Sequence, residues 1–461
     1  MRCFLMGAFA LSAGFVVAAC SAEIEPNATD TAGASGSLVN GVSGQQSFGG
    51  QSSSAGNGAR AGASSSGGFV GTGGFVGTGG SSGTGTAGQS STAGSSSTGG
   101  SGSGTGGSSS GTAGSGGAST PPSAGCAPPS TYPNLFVTVS GHTQADTDAK
   151  IEAAWSQLFN PSNANTVFYN GPGADESYVQ DVANNDVRTE GMSYGMMIAV
   201  QLDHQTEFDR LWAFTKKHMV QSNGQIAWHT STSGSPLATG GAPDGDEYYA
   251  TALIFAAKRW GNTSGKYNYS TEAQSVLDLI RKQDFSQTAK IVQFYVNSGN
   301  TDGSYILPAF YQVWACTDTA NQAFWNDAVA AGRKFFQAAA DSNGVIGDQS
   351  SFTGQTQKAA GSDAVRCVMN IMMDHNFFNA DPWQETYASK YGSYITSHGD
   401  NSTAMLSCNG LLGFGLPAAT GKPFVDKLWA AKIPTGQYRY YDGTLYMLAL
   451  LQVSGAFKLW Y

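Results

Sequence analysis

The region after Pro128 is predicted to fold as an all-α barrel, an (α/α)6 arrangement of six inner and six outer helices, on three observations. Apolar residues recur there at the helical spacing of about 3.6 and keep that spacing to the C-terminus. Segments apolar on nearly every face, such as residues 192–202, alternate with segments apolar on one face only. A helix apolar all round has to be buried, so the alternation implies an inner ring and an outer one. Gly-, Asn- and Asp-rich connections separate the segments, and β-signals are few.

In chain order the helices are predicted over residues 147–158, 190–202, 207–219 with Trp212 in its middle, 247–260, 270–282 and 307–316. The series continues over 323–340 with Trp325 in its middle, 363–378, 382–397, 403–412, 423–431 and 441–457. The two mid-helix tryptophans are expected in the core.

The part before Cys126 differs in kind. All nine tryptophans lie after it, whereas more than half of the 62 glycines lie before it. Residues 1–19 read as an export signal, with Arg2 ahead of an apolar run too short to span a bilayer. The run ends in Val17-Ala18-Ala19-Cys20, which resembles a bacterial lipoprotein signal and makes Cys20 the expected site of lipidation. The protein is therefore expected at the cell surface or outer membrane on a lipid anchor, or secreted if cut as an ordinary signal. Residues 20–125 are mostly Gly, Ser, Thr and Ala and cannot bury enough surface to offset their ordering entropy. They are expected to form a flexible tether with a span of roughly 50–60 Å. The remaining residues, 126–461, form the expected catalytic domain.

Composition narrows the partners. A net charge of −9 and a pI near 5.1 argue against nucleic acid, which requires a basic face. The six histidines are scattered, and Asp374-His375 lacks the paired histidines of a metal helix, so neither metal nor cofactor is expected. Cys126, Cys316, Cys367 and Cys408 remain after export, and three pairings among them are open. A monomer is expected.

Three carboxylates stand out because each opens a buried helix directly after a loop: Glu190, Asp244 and Asp363. Taken singly, each has an ordinary explanation. A carboxylate in the first turn complements the helix dipole; Asp244 with Glu247 outlines a capping box; Asp363 with Arg366 outlines a helix-surface pair. The order of the motifs carries more. Glu190-Gly191-Met192-Ser193-Tyr194-Gly195, Pro243-Asp244-Gly245-Asp246-Glu247 with Arg259-Trp260-Gly261, Ser304-Tyr305-Ile306-Leu307-Pro308-Ala309-Phe310-Tyr311, Asp363-Ala364-Val365-Arg366 and Tyr440-Tyr441-Asp442-Gly443-Thr444-Leu445-Tyr446 follow one another. In that order the chain from about Tyr132 onward resembles glycoside hydrolase family 8.

The resemblance implies an open cleft across the inner-helix ends and inverting hydrolysis of β-1,4 links. It places the general acid at Glu190 and the general base at Asp363, steadied by Arg366. Asp244 falls where the distorted sugar is held, and Tyr305 where the attacking water is held, with Tyr311 a second candidate there. Trp228 falls where a sugar ring is stacked upon, and Tyr194, Tyr311, Tyr440 and Tyr441 join it as expected substrate-binding residues. Inversion needs one carboxylic acid and one carboxylate, about 6.5–9.5 Å apart. Asp244 is the expected source of the charge that keeps Glu190 protonated, and Arg366 the cation that keeps Asp363 ionised.

The wording of the Ser304 and Tyr440 motifs looks most like the xylan-cleaving branch, so the expected substrate is xylan, with β-1,4-glucan and chitosan as alternatives. Rival readings are a carbohydrate-binding surface lipoprotein without catalysis and a polysaccharide lyase of similar fold. Members that trim xylose from reducing ends resemble each other in a Leu-His-Pro loop closing the cleft. Here Asp400-Asn401-Ser402-Thr403-Ala404 stands in its place, with no proline. Endo-cleavage is therefore expected, and exo-release of xylose is the alternative.

Overall fold

A computed structural model describes residues 126–263 and 265–461. The expected signal, Cys20 and the Gly/Ser-rich tether lie outside the described residues. Twelve helices of seven residues or more occur among the described residues, and they alternate between two rings. In chain order they are α1 (Gln144–Leu158), α2 (Thr189–Leu202), α3 (Gln205–Phe214), α4 (Pro243–Trp260), α5 (Tyr269–Leu279) and α6 (Pro308–Thr317). They continue as α7 (Gln322–Ala339), α8 (Val365–Phe378), α9 (Trp383–His398), α10 (Thr403–Asn409), α11 (Ala418–Ala430) and α12 (Arg439–Val453). Each even-numbered helix packs on the next, and α12 returns to α2, which closes the inner ring. Each odd-numbered helix lies outside: α1 on α12, α3 on α2, α5 on α4, α7 on α6, α9 on α8 and α11 on α10.

Burial follows the sequence pattern. Along α2, Met192, Tyr194 and all residues from Met196 to Val200 are buried. On α3 only the face bearing Phe208, Leu211 and Trp212 is buried, with its neighbours Ala213 and Phe214 closing that end. Trp212 and Trp325 are core residues, as expected, and so is Trp314. No described helix is long and apolar enough to cross a membrane.

Several boundaries moved for physical reasons. The segment predicted as one helix over 207–219 ends its α-helical part at Phe214 and continues as a π-helical turn, Thr215–Met219. The Thr215 hydroxyl donates to the Leu211 carbonyl at 3.1 Å and pairs with the Tyr249 hydroxyl at 3.0 Å, competing with the regular ladder. A matching π-turn, Ile280–Asp284, follows α5. The fourth helix begins at Pro243, not Glu247, because proline at the first position is already set for a helix. Asp244 and Glu247 thus both lie inside it, and the outlined capping box does not form: the N-cap is Ala242, without a side-chain bond.

Two small antiparallel sheets, not anticipated from the sequence, feed the inner helices. β1 (Phe168–Asn170), β2 (Ser177–Asp181), β3 (Asp186–Arg188) and β4 (His229–Ser231) pair in that order. β5 (Asn300–Thr301), β6 (Gln349–Ser351) and β7 (Thr356–Lys358) form the second. Strands this short leave too little alternation to read. Of the three open cysteine pairings none is complete: Cys126 joins Cys316, while Cys367 and Cys408 are free and buried.

Candidate active site

β3 runs straight into α2 and places Glu190 as its second residue, facing the barrel mouth. The Thr189 amide donates to the Trp228 carbonyl at 3.0 Å, which ties this entry to the residue just before β4. The glycine after Glu190 has a purpose. A Cβ at Gly191 would lie 2.2 Å from the Tyr440 ring, so only glycine lets that ring pass over the helix. The Tyr440 hydroxyl thereby donates to Glu190 Oε1 at 3.0 Å.

Arg366, on α8 and 3 % exposed, gathers the other carboxylates. Its Nη1 lies 3.0 Å from Glu190 Oε2 and donates to Asp244 Oδ2 at 2.9 Å and the Tyr194 hydroxyl at 2.8 Å. Its Nη2 stands 3.4 Å from Asp363 Oδ1. The three candidate carboxylates, separated by up to 173 positions in sequence (363 − 190), therefore meet around one guanidinium. Contrary to expectation, Asp363 does not open the helix: it sits in the turn before Val365, and the Arg366 amide donates to its carbonyl.

Burial pushes the Glu190 carboxyl up to about 7. Arg366 pulls against that shift, while Asp244 and then Asp363 add to it. The expectation that Asp244 is the main source is corrected: desolvation outweighs it, because the side chain retains only 17 % exposure. The Asp244 carboxyl is itself raised, chiefly by burial and against the pull of Arg366.

The aromatic candidates separate into two groups. Trp228 and Tyr305 line an open cavity together with Asp302, Asp363, Phe294 and Tyr295. Trp228 stacks on His229 at 4.4 Å, and His229 is held 2.8 Å from Asp186. The other tyrosines serve the frame. Tyr194 is 2 % exposed and presents its hydroxyl to Arg366, so it does not form a sugar platform. Tyr440 is equally buried and reaches only the acid. Tyr441 donates to the Ser362 carbonyl at 2.9 Å, in the turn that carries Asp363. Tyr311 is fully buried in the core, bonded to Glu247 Oε1 at 2.7 Å, which removes it from any contact with water or substrate.

Asp302 was missed by sequence reasoning. It is 1 % exposed, lines the cavity beside Asp363, and accepts from the Ser304 amide at 2.8 Å and its hydroxyl at 2.7 Å. Burial first, and then the charge of Asp363, hold its carboxyl well above the usual range. The available signal was its place as cap of the turn leading into Ser304-Tyr305. Among the described residues no group of three or more His, Cys, Asp or Glu is arranged to hold a metal.

Beneath the mouth lies a second carboxyl layer formed by Asp246 and Glu247 of α4 and Asp284 of the π-turn, all buried. Burial pushes Asp284 up to about 8 and Asp246 well above its ordinary value, with the two carboxyls acting on each other. The native state thus keeps protons that the unfolded chain releases near the ordinary value of 3.8. This contribution to stability is complete below that value and is lost as pH rises through about 8. Asp284→Asn, which needs no proton to pair with Asp246, is expected to narrow the gap between the melting temperatures at pH 5 and pH 8 by a few degrees. Calorimetry of both proteins at the two pH values tests this, and an unchanged gap would refute it.

The family model described as Glycosyl hydrolases family 8 matches residues 165–455. The reducing-end xylose-releasing exo-oligoxylanase Rex8A of Paenibacillus barcinonensis is 30 % identical over 370 residues, covering 72 % of this chain and 97 % of that protein. Its structure in complex with xylose superposes with a TM-score of 0.68, covering 72 % of this chain and 98 % of the other. A reducing end xylose-releasing exo-oligoxylanase of Halalkalibacterium halodurans is 32 % identical, covering 72 % and 95 % of the two chains. Endoglucanase 2 of Ruminiclostridium josui is 26 % identical, covering 71 % and 76 %. Five ordered motifs, the helical double ring and these matches lead to one conclusion: the chain belongs to glycosyl hydrolases family 8.

Proposed function

We propose that this glycosidase hydrolyses β-1,4-linked xylo-oligosaccharides by single-step inversion and releases xylose from their reducing ends. The observation that carries the chemistry is the shared guanidinium of Arg366, which holds a proton-bearing Glu190 and the more open Asp363 on different nitrogens. Glu190 gives its proton to the glycosidic oxygen as the bond to the anomeric carbon breaks. Water attacks that carbon from the opposite face, and Asp363 takes the proton that the water loses. The β-linkage becomes an α-hemiacetal, Glu190 is left ionised and Asp363 protonated, and exchange with solvent resets both. Asp244, held by Arg366, orients the sugar, and Trp228 and Tyr305 line the space beside the attacking water.

The choice of xylo-oligosaccharide ends over the interior of a polymer follows the exo-oligoxylanase relatives, and it replaces the endo-cleavage expected from the sequence. Endo-cleavage stays as the second reading because of one observation. The segment standing for the closing loop is polar: Asp400 is bound to Lys427 at 2.8 Å, and Ser402 caps α10. The early products decide between them. With linear xylo-oligosaccharides, xylose and the chain one unit shorter are expected from the first minutes, and polymeric xylan keeps its viscosity. A ladder of mixed oligosaccharides from polymer would instead establish the endo reading. Proton NMR of the first product should show the α-anomer before mutarotation.

A further inference from the structure

Asp363 is the one member of the carboxylate trio that stands outside regular structure, on the connection from β7 to α8. A base must be held to within about 0.5 Å of its productive position, and loops hold such a position only when tied. The ties are visible. The carboxylate of Asp348, immediately before β6 and 2 % exposed, reaches across the hairpin into this connection. Its Oδ1 accepts from the Gly361 amide at 2.8 Å and the Ala364 amide at 3.1 Å, one on each side of Asp363. Its Oδ2 pairs with Lys358 Nζ at 3.0 Å. From the opposite wall the Tyr441 hydroxyl takes the Ser362 carbonyl. Amide bonds to a buried carboxylate are roughly twice as strong as neutral ones, so the two bracketing bonds are the firmest points of the turn.

We infer that Asp348 is a positioning residue for the hydrolytic reaction, acting through the main chain to hold the base carboxylate of Asp363 on the attacking water. Asp348 touches neither substrate nor the reacting atoms. Its effect on rate comes from geometry alone, and a shift of about 1 Å in a reacting group costs on the order of 100-fold. This inference rests on the assignment of Asp363 as base, and the two are tested separately.

Asp348→Ala removes the acceptor, and Asp348→Asn keeps one. Gly361→Ala leaves Asp348 in place but puts a Cβ 2.6 Å from its Oδ2, at an exposed position where folding is not at stake. On an aryl β-xyloside or xylo-oligosaccharide, kcat is expected to fall roughly 10–100-fold in Asp348→Ala and Gly361→Ala, and less in Asp348→Asn, with KM little changed. Sodium azide, which attacks without a base, should restore part of the lost rate in the first two variants and yield the α-azide. A folding defect would not respond to azide. Unchanged kcat in Gly361→Ala, or loss without azide rescue where Asp363→Ala is rescued, overturns the role of Asp348. Full activity in Asp363→Ala overturns the base assignment itself, whatever the Asp348 variants do.

Discussion

Glu190→Gln is expected to lower turnover by about 10²–10⁴-fold while oligosaccharide affinity stays close to that of the unaltered protein. The amide matches the carboxyl in shape and can still meet the Tyr440 hydroxyl and Arg366, but it has no proton to give the leaving oxygen. The pH profile adds a second signature. Because burial raises the Glu190 carboxyl to about 7, the acid form dominates below that pH and is lost above it. The alkaline fall in kcat/KM should therefore centre near neutrality and disappear in the variant. Rates and ligand binding by calorimetry, measured across pH 5–9, provide the check. Near-native turnover in Glu190→Gln would remove the residue from the chemistry.

Asp363→Ala should cost a comparable factor, since water at the anomeric carbon then lacks an acceptor for its proton. The loss has a remedy that loss of the acid does not share. Azide is already a nucleophile and fits the space vacated by the carboxylate, so adding it should restore part of the rate and give an α-glycosyl azide. If the rate is unaltered, the base is another carboxylate, with Asp302 in the same cavity the next to test.

Much of this was readable before any coordinates. The inner ring is written in continuous apolar helices, and a helix with no polar face has only one place to go. Glu190 and Asp244 stand out in the sequence because they open such helices, and side chains at those starts lie at the barrel mouth. The tyrosines were harder. Tyr194, Tyr311 and Tyr440 share a residue type with sugar platforms, yet burial and hydroxyls tied to protein neighbours make each a strut, and burial is not a property of one position. Asp302 and Asp348 escaped notice because their importance lies in amides and neighbours brought by hairpins of two or three residues. The rank of forces on Glu190 was also hidden: proximity of charges can be guessed from motifs, whereas the amount of water displaced cannot.

The bond between Cys126 and Cys316 fixes an orientation as well as a loop. Cys316 lies at the far end of α6, about 12 Å along the helix axis from Pro308, which follows Tyr305 at the mouth. The polypeptide therefore joins the barrel on the side away from the cleft. The same point is the natural place for immobilisation on a bead or fusion to a second module, because a load attached there does not compete with an incoming glycan for the opening.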